Sequence, residues 1–179
     1  MPIFVGGVEI ADKQVFEEMQ YQDSADTVKQ ACFLAAQSLV VRQLLLNTAF
    51  KQKIVAALAD KALADIDTDE EEQMINALID KSVSVPEAGE DVCKRYYQKN
   101  RSKFTDKKLG KVLPFEQVSG HIEEYLSAQS LMNGIHEYIQ VLAANTKIKG
   151  FDFKDPDAMM VDLEGLNKIE GLDIQLTDT

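Results

Sequence analysis

His121 and His136 are the only histidines of the chain, so the side chain best suited to acid–base or metal chemistry is limited to one pair. They stand fifteen residues apart. On one helix that spacing is roughly 60° around the axis and more than about 20 Å along it, too far to share a metal or a proton. Surface histidines are the expectation. Cys32 and Cys93 form no Cys-x-x-Cys pair and have no histidine at ligand spacing, so two buried free thiols are expected. Glu70-Glu71-Glu72 and Glu123-Glu124 place carboxylates next to each other in sequence. Adjacent helical residues point in different directions, however, and solvated faces are the expectation. Tyr96-Tyr97 offers rings for stacking; one ring in the core and the other exposed is the stronger reading. No nucleophile elbow, Walker loop, dinucleotide fingerprint or His-Glu-x-x-His motif occurs. The residues therefore predict no catalytic group, no metal ligand set and no cofactor, and they direct attention from chemistry to binding.

The elements that would position a binding surface are mainly helical. "IFVGGVEI" (3–10) is two short β-prone runs around Gly6-Gly7, a hairpin signal in which both glycines are free to take positive φ. Asp12 is the expected cap of a short helix with Val15, Phe16 and Met19 on its apolar face, and Ser24 that of the next. "ACFLAAQSLVVRQLLL" (31–46) is apolar nearly all round, with Gln37, Ser38 and Arg42 as its one polar stripe, and is the expected core helix. "IVAALADKALADI" (54–66) continues as a helical pattern. Thr68 with Glu71 forms a capping box ahead of Met74, Ile75, Leu78 and Ile79. Residues 82–90 form a loop, and a short helix comes next with Val92, Cys93 and Tyr96 on one side. After Pro114, apolar residues recur every three or four positions from Phe115 to Leu142. One helix from 115 to about 145 would be about 45 Å long, more than a compact core of this size can cover. It must protrude, clasp a partner or pack on a second copy. Gly120 and Gly134 weaken it locally. "KIKGFDF" (147–153) alternates like a strand and is placed to join the N-terminal hairpin.

The net charge is −11 over 179 residues, and it is concentrated. Residues 60–72 and 151–179 each net −6, which leaves the remainder at +1. Such a balance disfavours nucleic acid and anionic membrane as partners. The acidic blocks are expected to be solvated surface and a solubilising tail. No apolar run approaches the roughly 18 residues of a membrane span. The start has no basic n-region, so a cytoplasmic location is expected, or a periplasmic one if a leader was removed.

Four stretches, in order, carry a family resemblance. They are "VGGVEIADKQVFEEMQY", "AAQSLVVRQLLLNTA", "DEEEQMINALIDKSVSVPEAGEDVCKRYYQKNRSKF" and "GKVLPFEQVSGHIEEYLSAQSLMNGIHEYIQVLA". Together, over about residues 3 to 153, the chain resembles the SurA/NifM-like parvulin-type peptidyl-prolyl isomerases that carry a helical chaperone module. In that family the catalytic parvulin domain lies between the Arg-x-x-Phe end, here Arg101 to Phe104, and the Leu-Pro-Phe start, here Leu113 to Phe115. Only nine positions separate Phe104 from Leu113, and the parvulin signatures are absent. The resemblance therefore implies a chaperone module whose isomerase domain is missing between about residues 106 and 107. A single module over 1–154 is expected, with 1–106 and 107–154 folding together and 155–179 as an acidic tail.

Three functions are expected. The first is an ATP-independent chaperone-type module binding unfolded or nascent polypeptide in an apolar cleft, with Phe16, Met19, Met132, Ile135 and Tyr138 as candidate lining. Flexible Met and aromatic side chains suit promiscuous binding. The second is a structural scaffold that forms a homodimer by exchanging the long helix across the short loop 105–112. The third, implied by the NifM-like resemblance, is an assembly factor dedicated to one client protein.

Overall fold

The computed structural model describes residues 2–106, 110–159 and 161. The fold is mainly α, with a small antiparallel sheet near the N-terminus. The chain forms two compact units. One runs to Leu78 and resumes at Ile139; the other is Ile79–Tyr138.

The first unit begins with the expected hairpin. Strands β1 (Ile3–Val5) and β2 (Val8–Ile10) pair antiparallel with Ile3 opposite Ile10 and Val5 opposite Val8. Gly6 and Gly7 take φ of +59° and +95°, the left-handed region that glycine enters without steric cost. The alternating stretch after residue 146 supplies β3 (Ile148–Lys149), which pairs with the other edge of β1. Ile3, Val5 and Ile10 point into the core; Glu9, Phe4 and Lys149 form a row on the opposite face.

Helix α1 (Asp12–Met19) starts one residue earlier than expected, with Ala11 as its N-cap. The Gln14 side chain accepts from the Ala11 amide at 2.9 Å and so meets one orphan donor. Helix α2 (Val28–Lys51) is capped by Thr27, not Ser24: the Thr27 hydroxyl accepts from the Gln30 amide at 3.1 Å. Val15, Phe16 and Met19 of α1 pack with Ala31, Cys32, Ala35, Ala36, Val40 and Leu44 of α2 in the main core. Phe151, Phe153, Met159 and Val161 lie against the same cluster. Phe151 stacks on Phe33 at 5.3 Å, Cys32 Sγ approaches Met159 Sδ at 3.9 Å, and Lys29 pairs with Asp157. Residues 162–179, most of the expected tail, lie outside the described residues.

Two expectations are corrected on α2 and the segment after it. By length and average composition α2 is long and apolar enough to cross a membrane, although its apolar run is interrupted. Within this fold it is the core helix, and its polar residues are tied locally. Asn47 Nδ2 donates to Val5 O at 3.0 Å, and Arg42 Nε to Glu71 Oε2 at 3.0 Å. Second, residues 54–66 do not continue as a helix; they form two short 3-10 turns, Ala56–Leu58 and Leu63–Asp65. Three aspartates within eight residues compete for backbone donors and favour turns.

Helix α3 (Thr68–Ser82) has its capping box one residue upstream of the predicted pair. Asp67 Oδ1 accepts from the Glu70 amide at 2.9 Å, while Glu70 Oε2 accepts from the Asp67 amide at 3.2 Å. Glu71 is thereby released to bind Arg42. The boundary between the units falls inside α3 and again inside α5 (Phe115–Asn145).

The second unit holds a small aromatic core. On α4 (Glu90–Lys99) the buried pair is Cys93 and Tyr97, an i,i+4 stripe, while Val92 is exposed rather than core-facing. Val118 and Ile122 of α5 complete the buried cluster, with Phe104, Leu113, Phe115 and Tyr96 packed around it. Gly134 is explained by close approach. A Cβ there would lie 2.8 Å from Val83 Cγ1, so the segment after α3 needs its bare surface.

Candidate peptide-binding surface

Two features of the second unit bear on function: an apolar helix face left in solvent, and the junction at residues 104–113.

The face belongs to α5. Near its start, Phe115, Val118, Ile122 and Leu126 pack toward α4. Beyond Tyr125, Val83 and Val85 approach the helix at Gly134, while other apolar side chains stay in solvent. Tyr125 is 50% exposed, Leu131 39% and Met132 65%. Ile135 and Tyr138 are half-buried. At 3.6 residues per turn, Tyr125 and Met132 lie two turns apart on nearly one line. Leu131, Ile135 and Tyr138 succeed one another at spacings of four and three on the flank beside it. The stretch is therefore a broad apolar face. Exposed apolar patches of this kind mark binding surfaces more often than isolated exposed residues do.

The five residues singled out in the sequence divide. Met132, Ile135 and Tyr138 lie on this face. Phe16 and Met19 do not belong to any exposed cleft: they are 2% and 3% exposed, packed in the core of the first unit against α2. Their helical spacing is core packing, which is what such spacing most often means. Tyr125 and Leu131 were missed. The signal was present in the unbroken apolar recurrence from Phe115 to Leu142, which exceeds what α4 alone can cover.

The junction is built from the residues that carry the resemblance. Helix α4 ends at Asn100, whose amide donates to Tyr96 O and Tyr97 O, both at 3.1 Å. The next four residues form a 3-10 turn, Arg101–Phe104, which folds the Phe104 ring back onto Tyr97 at 5.5 Å and Tyr96 at 6.3 Å. Tyr97 also meets Phe115 at 5.7 Å, and Tyr96 meets Tyr125 at 5.5 Å. Arg101 lies over Tyr97 and Lys103 over Tyr96, at 5.8 and 6.0 Å. The two chain ends then pair. Thr105 and Val112 form an antiparallel bridge. Leu113 N donates to Phe104 O at 2.8 Å, and Asp106 N to Lys111 O at 2.9 Å. Tyr97 Oη donates to Leu113 O at 2.6 Å, which pins the start of α5 to α4. Residues 104–106 and 111–113 are thus a closed stem whose two strands lie side by side.

The groups capable of chemistry lie apart. His121 sits 3.9 Å from Glu124 on an exposed turn, and His136 is exposed on the same helix. Among the described residues no three His, Cys, Asp or Glu side chains gather as a metal set. Cys32 and Cys93 are buried free thiols, as expected. Burial, assisted by the negative charge of Asp12, pushes the Cys32 thiol up to about 12, which keeps it protonated and unreactive. Glu90, hydrogen-bonded to Lys94, is held below the usual carboxylate range, and Lys94 is raised in turn. Both remain in contact with solvent, so the pair orders a helix start without building a site.

No family model, curated protein or solved structure matches the chain in comparisons with each.

Proposed function

We propose that this chain is an ATP-independent chaperone-type module that holds unfolded or nascent polypeptide segments and lacks an isomerase domain. The observation that carries this reading is the solvent-exposed apolar face of α5, with Tyr125, Leu131 and Met132 at its centre. Aromatic rings supply large contact area, and Met adapts to varied partners, so the face suits apolar client segments without a strict sequence. The resemblance to SurA/NifM-like parvulin-type isomerases supports it. The closed stem at 104–113 is compatible with it too, since inserted domains are tolerated where their two ends meet on a host surface. On this reading the parvulin domain is missing between residues 106 and 107, and the proline-isomerase activity of such relatives is not expected of this chain.

The test is aggregation of a chemically unfolded protein with and without the chain at equal molar amounts. Suppression is expected, and Met132→Asp should abolish most of it. Because Met132 is exposed, that variant should keep its stability within about 0.5 kcal/mol. Equal indifference to folded and unfolded clients would sink the proposal.

The same face favours a second reading, in which it packs on another copy and the module is a dimerising scaffold. Light scattering across concentration separates the two. A dimer dissociated by Met132→Asp supports the scaffold, and a monomer throughout excludes it. Tight binding to one partner, with none to generic unfolded proteins, would instead identify an assembly factor for a single client.

A further inference from the structure

The chain is strongly acidic, yet the first unit carries depressions lined by lysines. Two adjoining depressions share Gly6 and Lys147. One, of about 460 Å³, is lined by Phe4, Gly6, Gly7, Lys147 and Lys149. The other, of about 740 Å³, adds Phe50, Lys51, Gln52 and Asn145 among its walls. Among the described residues no aspartate or glutamate lines either. The sheet register sets Glu9 beside Phe4 on the β2 side and Lys149 beside it on the β3 side.

Among the described residues, four other cations of this unit are paired, while Lys53 and Lys154, like the three lysines here, are not. Lys13 pairs with Glu17, Lys29 with Asp157, Arg42 with Glu71 and Lys61 with Glu70. Among the described residues, the side chains of Lys51, Lys147 and Lys149 have no ion-pair partner. All three are exposed. The half-buried Phe4 lines the first depression with Lys147 and Lys149, Lys51 lines the second with Lys147, and β3 stands at the sheet edge. Two lysines beside one aromatic ring, a third in the adjoining depression and an edge strand match an extended acidic peptide. Its carboxylates would meet the lysines, an apolar side chain would rest on Phe4, and its backbone would run beside β3. The overall negative charge does not prevent this. At physiological salt, charges more than about 8 Å away are largely screened, while contacts at ion-pair distance are not.

We infer that this surface binds an extended acidic segment supplied by another polypeptide. The inference stands on the first unit alone and does not depend on what the α5 face binds. Fluorescence anisotropy with a labelled peptide alternating glutamate and leucine tests it on the full chain, with glutamine and lysine analogues as controls. The glutamate peptide should bind, and binding should weaken with salt. Lys147→Glu with Lys149→Glu should weaken it about tenfold, and Met132→Asp should leave it unchanged. Lys51→Glu, on a different element, should weaken it too and serves if the double variant fails to fold. Equal binding of the glutamine peptide, no binding of any peptide, or indifference to the lysine changes would overturn the inference. One further arm tests an occupant within the chain. Residues 162–179 themselves carry five acids and one lysine. If the glutamate peptide binds only when Glu164→Gln, Glu170→Gln and Asp173→Asn are introduced, the chain's own C-terminal segment is the occupant and a separate partner is excluded.

Discussion

The two units differ in how fully their central helices are covered. In the first, α2 is wrapped by α1, the sheet and the segment around Phe151 and Met159, and its apolar residues face other apolar residues. In the second, a small aromatic cluster closes over the start of α5 while Tyr125, Leu131 and Met132 remain in water. Burial of apolar surface is the dominant favourable term in folding, so the first unit is built for stability. Leaving large apolar side chains exposed forgoes that term, and it is tolerated where the surface has another use. The contrast shows that similar helical periodicity can serve a core or a binding face, depending on what lies opposite.

The comparison can be broken most forcefully in the first unit. Leu44 is 1% exposed at the centre of the core. Leu44→Ala should cost about 2–5 kcal/mol by urea denaturation, from lost transfer energy plus the cavity. A cost within the range of a surface change would mean that α2 is not the stabilising helix described.

The glycines of α5 sharpen the contrast within the second unit. Gly134→Ala gains helix propensity of about 1 kcal/mol, but its new methyl meets the stiff Val83 side chain at 2.8 Å. A net loss of about 1 kcal/mol is expected. Gly120 has open space around it, so Gly120→Ala should stabilise by about 0.5–1 kcal/mol. Thermal melts of the two variants should therefore move in opposite directions, and equal shifts would refute the close approach at Gly134.

Tyr97→Phe removes the hydrogen bond to Leu113 O and leaves that carbonyl without its donor. A loss of about 1 kcal/mol is expected. Hydrogen exchange should show faster opening of the 104–113 stem; unchanged protection there would mean the stem holds without Tyr97.

The effect that is smallest at neutral pH concerns Cys32. The fold holds its thiol neutral up to about pH 12, whereas the unfolded chain loses that proton near the ordinary value of 9.0. Between those values the unfolded state binds fewer protons, so this group's contribution to stability falls as pH rises from about 9 to about 12. Thiol reagents should label Cys32 only after unfolding; rapid labelling of the folded chain would contradict its burial.

The elements were legible where periodicity was strong. The Gly6-Gly7 hairpin, the core helix, the long helix after Pro114 and the strand near residue 148 all arise from local pattern, because backbone geometry imposes periods of two and 3.6 on any buried face. Helix starts were less legible. Thr27 replaced Ser24 and Asp67 replaced Thr68, since several neighbouring polar side chains can each cap and only the packed geometry selects one. The 54–66 stretch misled because alanine-rich periodicity outweighed its aspartates.

The candidate surface shows the limit most clearly. Sequence alone determined that apolar residues would line one side of α1 and recur along α5, because those residue types and spacings are fixed by the chain. It could not determine which of them would meet a partner element. Phe16 and Met19 became core because α2 lies against them, while Met132 stayed exposed because Val83 and Val85 meet its turn of α5 at Gly134 instead. The same holds for charge. The lysines near 51 and 147–149 are ordinary in sequence, and they become one basic surface only when the sheet and the end of α2 bring them together. Local periodicity is a property of the chain; burial and charge clustering are properties of what the fold places opposite.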